Sequence, residues 1–139
     1  MYMEDFVLQR RLLRIGHRLY AGRNSDIKEF GLTPYQSETL MFCGKNQGAP
    51  ITRLKTWLNV SHQATCSVVE RMKAKDLLSV TDSPDDGRAK AIYLTEKGRE
   101  LYDILAGQGD QVGHRLLADF TPEEKQILST LLQKMEKNL

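Results

Sequence analysis

The segment between residues 52 and 94 constrains the fold most. Thr52 is placed to cap a short helix through Trp57 or Leu58, with Leu54 and Leu58 four apart on one face. Asn59-Val60-Ser61 breaks that helix, and Ser61 caps another that runs to about Lys75. Its apolar face is Ala64, Val68, Val69 and Met72, and its outer face is polar and basic. Two short strand candidates follow at once, residues 77–81 and 91–94. Between them lies Asp82-Ser83-Pro84-Asp85-Asp86-Gly87-Arg88, which is dense in turn-forming residues. Two helices joined by a three-residue turn and followed by a hairpin have the sequence form of a helix-turn-helix with a β wing.

Helical patterns flank this segment. Residues 4–29 carry Phe6, Leu8, Leu12, Ile15 and Leu19 at helical spacing, weakened later by Gly22, Asn24 and Ser25. Thr33-Pro34-Tyr35-Gln36 is a capping box that starts a helix at Pro34, running to about Cys43, and residues 44–50 read as a loop. Thr95 caps a helix with Leu101, Ile104 and Leu105, loosened near Gly107, Gly109 and Gly113. Thr121-Pro122-Glu123-Glu124 is a second capping box, before a stripe of Ile127, Leu128, Leu131, Leu132 and Met135.

The expected fold is therefore mainly α with a small β-hairpin wing, a winged helix-turn-helix with terminal dimerisation helices. One domain spans 1–139, with residues 31–94 as the winged part and 1–30 and 95–139 as the dimerisation helices. In so small a chain, the stripes holding Leu12, Ile15, Leu128, Leu131, Leu132 and Met135 lack partner surface, so a symmetric contact with a second copy is expected to bury them.

Composition excludes other classes. With 139 residues, 40% hydrophobic and 27% charged, the chain reads as a soluble globular protein. Its apolar runs fall far short of the ~20 residues that span a bilayer. Met1 to Asp5 shows no basic start of a secretory signal, and two cysteines make no disulfide framework. A cytoplasmic protein with reduced thiols is expected. His17, His62 and His114 are scattered, without a metal-ligand motif, a C-x-x-C pair or a glycine-rich phosphate loop. No catalytic residue, metal or cofactor is assigned. The net charge is +2, but residues 45–90 hold an excess of three positive charges and residues 95–139 an excess of two negative ones. That distribution points weakly to a polyanion.

If the helix after Ser61 lies in a major groove, its first turns meet the base edges. His62, Gln63, Thr65 and Cys66 stand there; Gln pairs bidentately with adenine, and Thr bonds a base or touches a thymine methyl. Ser61 and Ser67 are short enough to reach phosphates, and Arg71 adds charge along the same face. The hairpin tip suits a minor groove, where the Arg88 guanidinium fits, held in place by Asp86 and accompanied by Lys90.

Pro84, Asp86, Arg88, Leu94, Thr95 and Gly98 resemble the wing signature of the MarR (multiple antibiotic resistance regulator) family. Leu32-Thr33 with Gln36 and Leu40 is similar to the family's helix-2 opening, and Leu54, Leu58, Val60-Ser61, Val69, Arg71 and Met72 to its helix-turn-helix framework. The resemblance covers nearly the whole chain. It implies a homodimeric regulator, a repressor, on double-stranded DNA with a palindromic operator, released by a small phenolic or other ligand or by an oxidant. His17, Tyr20, Tyr35 and Trp57 are the candidates for an effector crevice, against the plainer expectation that each is a core residue. Cys66 is the candidate redox thiol, because oxidation there adds bulk and charge against DNA. Gly87 stands where the family usually has a basic residue, and Asp76 where it usually has glycine. The missing wing charge leaves a competing reading, a winged-helix protein-interaction module that no longer binds DNA.

Overall fold

A computed structural model describes residues 2–83 and 89–139. The elements run α1 (Tyr2–Lys28), α2 (Pro34–Lys45), β1 (Ala49–Pro50), α3 (Ile51–Leu58), α4 (His62–Ala74), β2 (Leu78–Asp82), β3 (Lys90–Leu94), α5 (Glu96–Leu116) and α6 (Pro122–Glu136). Two compact units result, Met1–Asp103 and Ile104–Leu139, with the boundary inside α5. All elements of the expected winged part lie in the first unit.

Local chemistry sets the helix starts. Both capping boxes form: Thr33 Oγ1 accepts from Gln36 N and Gln36 Oε1 from Thr33 N, and the same reciprocal pair joins Thr121 and Glu124. Ser61 Oγ accepts from Ala64 N at 3.0 Å and starts α4. Thr52 is not a cap. The residue in that place is Pro50, with no side-chain cap bond, and α3 begins at Ile51, so Thr52 lies inside the helix. The proline fixes φ at the entry to the helix but offers no side-chain acceptor to the first-turn amides.

The ends of α1, α3 and α4 are closed by left-handed residues. Gly31 (φ 69°) ends α1, with Leu32 N donating to Ile27 O and Gly31 N to Lys28 O. Asp76 (φ 59°) ends α4 in the same way: Leu77 N donates to Met72 O and Asp76 N to Lys73 O. Each closure brings two buried apolar side chains together, Ile27 with Leu32 and Met72 with Leu77. Asn59 (φ 54°) closes α3 and makes the turn into α4.

The sheet has three antiparallel strands in the order β1-β3-β2. β2 and β3 form the hairpin, with Val80 opposite Ile92 and Asp82 opposite Lys90. β1, which lies in the expected loop, pairs Ala49 with Ile92 and Pro50 with Ala91. An edge strand tolerates proline because its missing N–H leaves no interior ladder bond unmade.

The core of the first unit sits between the helix-turn-helix, α2 and the sheet. Leu40, Leu54, Val69, Met72 and Ile92 are wholly or almost wholly buried there. Four polar residues are buried with them, Gln36, Ser37, Thr39 and Thr65, and each has a hydrogen-bond partner. α5 continues as one helix past Gly107, Gly109 and Gly113. No described helix is long and apolar enough to cross a membrane.

Candidate nucleic-acid interface

α4 presents one continuous outward row. Gln63, Ser67 and Arg71, spaced four apart, are all exposed and lie above one another on the helix face. Ser61 and His62 are exposed at its start, where the positive end of the helix dipole faces solvent. His62 Nε2 and Cys66 Sγ are 3.4 Å apart, and Cys66 is half-buried. Lys73 pairs with Glu70. Gln63, Ser67 and Arg71 thus combine an amide able to read adenine, a hydroxyl and a permanent cation in one line.

Thr65 does not belong to that row. It is fully buried, and its Oγ1 donates to Ser61 O at 2.9 Å. The expected apolar face is rotated accordingly, since Ala64 is exposed while Thr65, Val69 and Met72 point inward. A threonine bonded to its own helix carbonyl carries no unmet polar group into the core, so it serves as an interior residue.

On the wing, Lys90 is exposed and pairs with Asp82 at 2.5 Å across the hairpin. Asp86, Gly87 and Arg88, the expected minor-groove element, lie outside the described residues. Ser83 N donates to Ala89 O at 2.9 Å, continuing the strand pairing beyond Asp82.

His17, Tyr20, Tyr35 and Trp57 are not core residues. Tyr20, Tyr35 and Trp57 keep 51%, 52% and 59% of their surface exposed, and His17 is exposed as well. His17 and Trp57 line different hollows. His17 lines a shallow hollow of about 530 Å³ along α1. Trp57 lines another of about 540 Å³ with Phe42, Thr52, Arg53 and Thr56. There the Phe42 and Trp57 rings are 5.9 Å apart, and the Arg53 guanidinium sits over Phe42. Sequence reading missed this grouping, because Phe42 and Arg53 come from helices whose facing sides only tertiary packing decides. Cys43 is fully buried, and burial pushes its thiol up to about 12. Among the described residues no group of three or more His, Cys, Asp or Glu is placed to hold a metal.

Residues 30–89 match the model of the MarR family. The Bacillus subtilis HTH-type transcriptional regulator YybA, itself uncharacterized, is 25% identical over 130 residues, covering 94% of this chain and 87% of its own. The Pseudomonas putida transcriptional repressor NicR is 32% identical over 74 residues, 52% of this chain and 47% of its own. A MarR-family regulator from Listeria monocytogenes, solved with a 26mer DNA, superposes with a TM-score of 0.84 at 23% identity, over 94% of this chain and 87% of that one. The Staphylococcus aureus MepR–DNA complex gives 0.80 at 21% identity, over 94% and 97%. These relatives are regulators and not enzymes. Family match, relative and shared fold agree: residues 30–89 match the MarR family, and the chain as a whole is similar to winged-helix transcriptional regulators of that family.

Proposed function

We propose that this chain represses transcription in the cytoplasm as a homodimer that grips a palindromic DNA operator, with α4 in the major groove and the wing beside it. The exposed Gln63–Ser67–Arg71 row is the observation that carries the proposal. Ser61, His62 and Cys66 flank it at the end of α4 that meets bases first. Lys90, and Arg88 with Asp86, serve the wing.

Pairing is supported by the apolar side chains that the flanking helices leave uncovered. On α1, Leu12 and Ile15 are 43% and 49% exposed. On α6, Leu131, Leu132 and Met135 are 48%, 38% and 39% exposed, and Leu128 is half-buried. Covering such stripes with a second copy removes apolar area from water at about 25 cal/mol per Å². The two α4 helices of a symmetric pair then address half-sites about 34 Å apart. Repression is supported by the similarity to NicR, a transcriptional repressor. Release belongs to the same proposal, through an aromatic ligand at the His17, Tyr20, Tyr35 or Trp57 surfaces or through oxidation of Cys66.

Selection of bound duplexes from a random pool tests the reading. The expected result is a palindrome, bound by two chains, with affinity that falls steeply as salt rises. Gln63→Ala should relax preference at one or two base positions and cost about 1–3 kcal/mol. A chain that stays single and ignores duplex DNA at low ionic strength overturns the proposal; if it is paired but equally indifferent, the interaction-module reading replaces it.

A further inference from the structure

The described polar bonds that join the reading helix to distant helices gather at one end, while its buried side chains pack along its length. Around its first turns the described polar bonds are local, from Ser61, Thr65 and the His62–Cys66 pair. Its far end, Lys75-Asp76-Leu77, is where three other helices meet.

On one side, Lys75 Nζ donates to Gly31 O at 2.5 Å and to Gln36 Oε1 at 2.8 Å. Gly31 is the left-handed residue closing α1, and Gln36 is the buried member of the α2 capping box. One ammonium therefore bonds the carbonyl end of α1 and the start of α2 together. A cation at the negative end of a helix dipole is well placed for this.

On the other side, α5 begins against the same three residues. Thr95 Oγ1 donates to Asp76 O at 2.6 Å, Thr95 N to Leu77 O at 3.1 Å, and Lys97 Nζ to Lys75 O at 3.1 Å. The approach is so close that a Cβ on Gly98 would lie 2.1 Å from Leu77 O. α1 and α5 thus both reach α4 through its C-terminal cap.

We infer that Lys75 is a positioning residue for DNA reading: it touches no base, and through Gly31 and Gln36 it sets the angle of α4 relative to α1. The inference rests on the DNA-binding proposal above for its consequence, but its geometry is independent of it. A tilt pivoting at residue 75 moves Gln63 more than Arg71, because Gln63 lies at the opposite end of the helix. Losing the clamp should therefore loosen half-site spacing more than base preference.

The test uses the full chain, Lys75→Met and Lys75→Arg, with duplexes selected by the wild-type protein. Inserting one base pair between half-sites shifts them by about 3.4 Å and a tenth of a turn, which the wild type should penalise about tenfold or more. Lys75→Met should bind the uninserted duplex about tenfold more weakly and show a penalty below about threefold, with the same preferred bases. Lys75→Arg, which keeps the donors, should restore the spacing optimum. A DNA-free measurement separates the two proposals. Nitroxides at Gln9 of α1 and Ser67 of α4, in a Cys66→Ser background diluted with unlabelled chain, should give a narrow distance distribution that Lys75→Met broadens. An unbroadened distribution, or a uniform affinity loss with the spacing optimum intact, overturns the positioning role. Broadening by Lys75→Met, in a protein whose wild type binds no duplex, upholds the clamp and removes the DNA-binding proposal instead.

Discussion

Replacing Asp76 by glycine should stabilise this protein, although it deletes a charged surface side chain. Asp76 closes α4 at φ 59°, with Leu77 N bonded to Met72 O behind it. An L-residue in that left-handed region costs about 1–2 kcal/mol, and aspartate, which tolerates it better than most, sits near the lower end. Its carboxylate also stands at the negative end of the α4 dipole, which costs a further ~0.3 kcal/mol at an exposed site. Against these gains, glycine adds about 0.4–1 kcal/mol of unfolded-chain entropy. The net expectation for Asp76→Gly is about 0.5 kcal/mol of added stability. Urea unfolding reads this as a higher midpoint at unchanged slope, measured at one fixed protomer concentration because association would itself add stability. Asp76→Ala removes the charge but keeps a Cβ at positive φ, and it should bring no gain. If alanine stabilises as much as glycine, the carboxylate rather than the backbone is responsible. If glycine destabilises, the reasoning about this cap is wrong.

Other substitutions test the packing and the caps. Gly98→Ala should cost about 1–3 kcal/mol in the same assay despite alanine's better helix propensity, because the added Cβ meets the Leu77 carbonyl rather than a movable side chain. Ser61→Ala should cost about 1 kcal/mol, whereas Thr52→Ala, which removes no cap bond, should cost only a few tenths. Iodoacetamide at mildly alkaline pH should label one thiol per native chain, Cys66, and both in denaturant, as read by mass spectrometry. Since burial raises Cys43 from 9.0 to about 12, the unfolded chain ionises first as pH rises. Stability should then fall between those values, by about 1.4 kcal/mol for each pH unit, and a flat profile there would contradict a buried neutral thiol.

The sequence by itself determined the features that a few adjacent residues can build. Thr33 with Gln36, and Thr121 with Glu124, satisfy helix-start amides three residues away, so those starts were legible without knowing the fold. Ser61 and the two hairpin strands were legible for the same reason, and the order of elements followed from them. Tertiary structure decided whatever depends on a partner distant in the chain. β1 is two residues long and exists because β3 lies beside it, so its own pattern carries no signal. Thr65 and Ala64 are neighbours on one helix, and only the packing of α4 against α2 and α3 turns the hydroxyl inward and the methyl outward. Pro50, rather than Thr52, starts α3 because the chain enters from a paired strand. Lys75 looks in sequence like one more cation on a basic face, yet its ammonium is turned back to Gly31 and Gln36, more than thirty residues earlier in the chain. Local bonding is written in neighbouring residues, whereas the direction a side chain faces depends on surfaces that come together only when the whole chain folds.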